Sequence, residues 1–165
     1  MLLFHGSNMQ VDKPSIEFSR PNLDFGCGFY ATSIESQAVR WAHRKSQLSG
    51  GTSVINVYEF DVGALQNFRY LEFETKNAEW LDFIVVNRKG ESKQSAFDLI
   101  RGPVADDRVF EAVNMYMEGL WDKKTTLDAL KFYKTNDQYC FTTQRLIDLA
   151  LQFKHSYTLI GDHVN

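Results

Sequence analysis

Between Ser53 and Val62 the chain reads Ser-Val-Ile-Asn-Val-Tyr-Glu-Phe-Asp-Val, in which β-branched and aromatic residues alternate with polar ones. That spacing is the signature of an extended strand, and it commits the chain to a sheet. Shorter runs supply its companions: Leu3-Phe4, Phe68 to Phe73, Phe97 to Ile100, Asp137 to Phe141 and Tyr157 to Ile160. A further short strand is expected at Ser15 to Phe18, inside an irregular stretch from Val11 to Asn22 that carries Pro14 and Pro21.

Helical spacing separates these runs. Ile34, Ala38, Trp41 and Ala42 define a helix that Ser33 is placed to cap and that ends before Ser49-Gly50-Gly51. Lys76 to Arg88, a segment starting near Arg108, Thr125 to Phe132 and Thr143 to Phe153 read as four more. Strands and helices do not alternate strictly, which favours a mixed α+β arrangement over a doubly wound parallel sheet. With no internal repeat and no linker, residues 1–165 are expected to form a single domain.

Several function classes are disfavoured. No Gly-x-Gly-x-x-Gly or Gly-Lys-Ser/Thr loop is present, so a Rossmann or P-loop site has no support. The 18 basic against 21 acidic residues give a net charge of −3, with no basic stripe to attract a phosphate backbone. Cys27 and Cys140 are too few for a disulfide framework, and His43, His155 and His163 lack metal-ligand spacing, so no metal is expected. Without a basic start followed by a long apolar run, the expected setting is the cytoplasm, with no membrane span.

Two stretches stand out as chemistry. Leu3-Phe4-His5-Gly6-Ser7 ends a strand on an imidazole beside a glycine, where a ligand can approach the backbone closely. Asp24-Phe25-Gly26-Cys27-Gly28-Phe29-Tyr30-Ala31-Thr32 places two glycines before an aromatic pair, which suits a turn or bulge presenting a flat ring. Each has a plainer explanation. A strand-end histidine is often satisfied by a neighbouring carbonyl, and adjacent aromatic residues on a strand point to opposite sides, so one of Phe29 and Tyr30 belongs to the core.

Taken in order, these motifs resemble the ADP-ribosyltransferase superfamily in its diphtheria-toxin-like branch, with His5-Gly6 and Tyr30-Ala31-Thr32 at the nicotinamide-pocket positions. More closely, the chain looks like a small bacterial domain family of unknown function grouped with those transferases. The shared pattern continues through Gln37-Ala38-Val39-Arg40-Trp41-Ala42, Trp80-Leu81-Asp82-Phe83, Gly102-Pro103-Val104-Ala105-Asp106-Asp107 and Asp137-Gln138. The resemblance implies a split, mostly antiparallel β core with flanking helices. It also implies NAD as substrate, a macromolecular acceptor, and a toxin–antitoxin or phage-defence setting with an antitoxin protein as partner.

It further implies roles. His5 would hydrogen-bond a ribose, Gly6 and Ser7 would face the nicotinamide amide, and Tyr30, beside Phe29, would stack on the pyridine ring. Thr32 would hydrogen-bond the nearby ribose or support the catalytic side chain. Arg88 is a candidate for the pyrophosphate on its own chemistry, since a guanidinium is a bidentate phosphate partner, although an exposed arginine at a helix end is the commoner explanation. Gln138 stands where relatives carry a catalytic glutamate. An amide orients the sugar but neither accepts a proton nor neutralises an oxocarbenium-like charge, a loss on the order of 10²–10⁴ in rate. Asp106 and Asp107 are the reserve carboxylates, with Glu79 and Asp82 behind them, although such a pair equally suits the start of a helix. Three functions follow: an ADP-ribosyltransferase, an NAD-binding module without turnover, or an NAD glycohydrolase.

Overall fold

A computed structural model describes residues 1–91, 96–105, 107–133 and 136–159. The fold is α+β. Numbered along the chain, β1 (Leu2–Ser7), β3 (Val54–Phe60) and β7 (Leu151–Thr158) form an antiparallel sheet with β3 in the middle. The central position explains why Val54 to Tyr58 are all buried, since both faces of that strand are covered. The second sheet has the order β2 (Phe29–Ala31), β6 (Asp137–Phe141), β5 (Leu99–Pro103), β4 (Tyr70–Glu72). It is antiparallel except for the β4–β5 pair.

Alternation along β6 organises the two cores. Tyr139 and Phe141 face the first sheet and join Leu3, Phe29, Tyr58 and Phe60 between the sheets. Cys140 faces the other way, into a cluster with Ile100, Phe25 and the helices α2 (Ala78–Arg88), α3 (Asp107–Met117) and α4 (Lys123–Leu130). Trp80 of α2 is fully buried there and donates from Nε1 to the Pro103 carbonyl at 3.0 Å. On the outer face of the first sheet, α1 (Glu35–Ser49) packs Ala38 and Ala42 against Ile55 and Val57. This contact is close enough to exclude a side chain at Gly6, where a Cβ would lie 2.0 Å from the Ala38 carbonyl oxygen.

Three local expectations are corrected. The segment from Ser15 to Phe18 is no strand but a 3-10 turn, Ile16–Phe18, whose cap Ser15 accepts from the Glu17 N–H. The turn expected before the aromatic pair is present, closed by the Gly26 N–H to the Leu23 carbonyl at 2.9 Å with Gly26 at φ 78°; Phe29 and Tyr30 follow on β2, and Gly28 is required because a Cβ there would press within 2.5 Å of Cys140 Sγ on β6. Ser33 does not cap α1; its hydroxyl donates to Asp137 at 2.5 Å, and the helix starts after Ile34. The helix expected from Thr143 to Phe153 stops at Ala150 as α5 (Gln144–Ala150), and β7 begins at the next residue. There Leu151 pairs with Phe60 and Phe153 with Tyr58, and both pack their side chains against the core between the sheets.

Among the described residues no helix is long and apolar enough to cross a membrane. Nor do three His, Cys, Asp or Glu side chains gather there in a way that could hold a metal ion.

Candidate functional site

Among the described residues one isolated bridge joins the edges of the two sheets, in which Phe4 and Thr32 exchange N–H to C=O bonds of 2.8 and 2.9 Å. In an antiparallel ladder every second residue turns its peptide groups to the same neighbour, so the next pair along this edge would be Gly6 and Tyr30. That pairing is not made. The strands part, and the Tyr30 carbonyl instead accepts from His5 Nδ1 at 2.7 Å. Peptide groups of Gly6 are left facing the split.

The His5 tautomer follows from this contact. A carbonyl only accepts, so Nδ1 carries the proton and Nε2 presents a lone pair. Burial, the largest effect, lowers the His5 pKa to about 4 against the opposing pull of the Tyr30 hydrogen bond, and the Lys45 charge lowers it further. The ring is therefore neutral at pH 7, and it lies 4.7 Å from the Phe29 ring. Two residues on, Ser7 shares the His5 face of β1; its hydroxyl is buried and has no hydrogen-bond partner.

Asn56, opposite His5 on β3, escapes the sequence reading. Fully buried, it accepts from the Val11 N–H at 2.7 Å and donates to the Met9 carbonyl at 3.2 Å, so it pins the segment that follows β1 over this face. The available signal is an asparagine where the alternation of β3 demands an inward residue.

The other expected residues divide into those the split gathers and those it does not. Thr32 is at the bridge, but its hydroxyl donates to Asp137 at 2.7 Å and accepts from the Ile34 N–H, so no proton remains for a ribose. Tyr30 contributes its backbone carbonyl to the split, whereas its ring lies on the opposite face of β2 from Phe29, toward the helices. Its hydroxyl donates to the Gly26 carbonyl at 2.6 Å and accepts from the Phe25 N–H, and burial pushes its pKa well up. The imidazole and the Tyr30 ring thus do not face each other across a gap.

Gln138 sits one residue before the Ala31–Tyr139 pair, beside Thr32 on the neighbouring strand. It is 3% exposed, and its Nε2 makes a long 3.4 Å contact with the Pro103 carbonyl, which a carboxylate could not satisfy. Asp137 accepts from both Thr32 and Ser33 and fastens the entry to α1.

Arg88 is not a pyrophosphate partner in this arrangement. Its Nε and Nη2 bind Asp24 at 2.9 and 2.7 Å, Nη1 reaches Asn114, and Phe110 covers its face at 4.3 Å. Asp82 is exposed and paired with Lys123, and Glu79 lies in the first turn of α2. Asp106 lies outside the described residues, and Asp107 is the first residue of α3.

Fold and site together define a two-sheet α+β domain with a polar split at the sheet junction. The chain belongs to the DUF3990 family of proteins of unknown function, whose model matches residues 1–153. Neither a curated protein nor a solved structure matches it.

Proposed function

We propose that the protein is an NAD-dependent ADP-ribosyltransferase acting on a macromolecular acceptor. The observation that carries this reading is the parting of β1 and β2 immediately after the Phe4–Thr32 bridge, which leaves the Gly6 peptide groups unclaimed by β2. A planar carboxamide, one donor and one acceptor, is complementary to such an exposed backbone edge, and the Ser7 hydroxyl is a further partner. The neutral His5 Nε2 accepts from a ribose hydroxyl, and Phe29 fixes the imidazole from behind. Catalysis then consists of holding the nicotinamide–ribose bond in a geometry where the ring can leave, and of bringing the acceptor to the anomeric carbon.

Gln138 favours a second reading, an NAD-binding module without turnover. Its buried amide is matched to the Pro103 carbonyl, and the carboxylate next to it on β6, Asp137, is already engaged by Thr32 and Ser33 at the entry to α1, so neither is free to offset developing positive charge. Release of nicotinamide from NAD by the purified chain separates the two. Transfer of labelled ADP-ribose to protein or nucleic acid is the expected outcome for a transferase, release with water as sole acceptor marks a glycohydrolase, and binding without release marks the module. Absence of NAD binding sinks all three.

A further inference from the structure

No basic stripe runs along the sequence, yet the fold gathers a basic patch on a chain whose net charge is −3. The segment Thr75–Ala78, which leads into α2, faces α4 across a groove of about 790 Å³. Lys76, Lys123, Lys124 and Lys131 line it, with Asp128 as the one carboxylate among the described lining residues. Lys76 is distant in the chain from the other three, so only the fold brings the four together.

These ammonium groups are open to a new partner. Lys123 pairs with Asp82 at 2.6 Å and Lys131 with Asp128 at 2.7 Å, but all four side chains are well exposed. Pairs of that kind contribute little, so an incoming phosphate can share or replace them. Lys76 donates to the Tyr133 carbonyl at 2.9 Å, which holds it at the turn after α4. Lys124 takes part in no ion pair among the described residues.

The groove is more than basic. Leu127, Leu130 and Tyr133 also line it, so apolar surface lies among the ammonium groups. Phe132, between Lys131 and Tyr133, is 87% exposed, and its ring takes no part in the core. Lysines interleaved with aromatic rings suit a chain of phosphates that carries unpaired planar bases, the phosphates meeting the lysines and a base stacking on a ring. A duplex keeps its base faces hidden, and an acidic peptide brings charge without bases to stack.

We propose that the groove between Thr75–Ala78 and α4 binds single-stranded nucleic acid. The groove shares no residue with the split at β1 and β2, so this assignment goes beyond the NAD reading and stands without it.

The test is fluorescence anisotropy of the whole chain at low salt with a labelled single strand of about 12 nucleotides, its duplex and an oligoglutamate peptide. The unaltered protein is compared with Lys124→Glu, Phe132→Ala and Lys13→Glu, all at exposed positions, the last lying outside the groove. Lys124→Glu is expected to weaken single-strand binding about tenfold and to flatten its salt dependence. Phe132→Ala is expected to weaken it about tenfold with the salt dependence unchanged, the mark of a lost stacking contact. Lys13→Glu, the same change of net charge, should cost far less. No single-strand binding by the unaltered chain overturns the assignment, as do equal losses in Lys13→Glu and Lys124→Glu, or tighter binding of the duplex or the peptide. No NAD is present in this titration, so its failure and that of the NAD reading are told apart.

Discussion

Arg88 and Lys45 both leave helices to lie partly out of water, yet their surroundings are opposite. Arg88, 8% exposed, has a carboxylate, a carboxamide and an aromatic face around it. Lys45, half-buried on α1, takes part in no ion pair among the described residues, and burial lowers its pKa with the charge of Arg20 adding to the effect; on β1 the buried Ser7 hydroxyl is without a partner. On the helix-covered side of the second sheet the Arg88 charge is answered within the protein, whereas the split beside β1 holds a buried serine hydroxyl with no partner. A charge that is answered within the protein is architecture; one left unanswered is an invitation to a ligand.

That contrast can be broken most sharply at Arg88. Arg88→Ala strands the Asp24 carboxylate and is expected to lower stability by about 3–5 kcal/mol in urea denaturation. A loss as small as that of an exposed residue would place Arg88 with the ligand-seeking cations after all.

His5 gives the next largest effect. The native state holds the imidazole neutral down to about pH 4, while in the unfolded chain it gains its proton near 6.5. Stability therefore falls as pH drops through that window and is regained above it, by up to about 3 kcal/mol if the ring stays dry. His5→Gln should remove this step from the melting temperature against pH, and a step that persists belongs to another group.

Gly6→Ala drives a methyl into the Ala38 carbonyl and should cost about 1–3 kcal/mol as α1 shifts off β1. An unchanged chemical denaturation midpoint would show that the helix yields freely. Ser7→Ala is the smallest and has the opposite sign: removing a buried, unpartnered hydroxyl should stabilise the fold by about 1 kcal/mol while weakening nicotinamide binding. A loss of stability would mean the hydroxyl serves the fold.

Much of this was legible along the chain. The strand at Asp137–Phe141 and the central Val54–Phe60 announce themselves because alternation survives wherever a sheet has two different faces. The passage from α5 to β7 is hidden because Ala150-Leu151 contains no glycine or proline, and apolar residues at helical spacing run on across the junction. His5, Gly6 and Ser7 were identifiable as a group, but the local sequence does not disclose that β2 turns the Tyr30 ring away and offers its carbonyl. The pairing of Arg88 is hidden in the sequence because the carboxylate that engages it, Asp24, is distant in the chain. The same distance conceals the bond from Thr32 to Asp137.

Strand β2 has no ladder partner before β6, and β3 is covered on its second edge by β7, which runs to Thr158. The imidazole belongs to β1, yet the two walls that aim it are finished only by β6 and β7, the last two strands among the described residues. A chain cut before β6 has residue 5 without its recess, so any chemistry at that recess waits on contacts of long sequence separation.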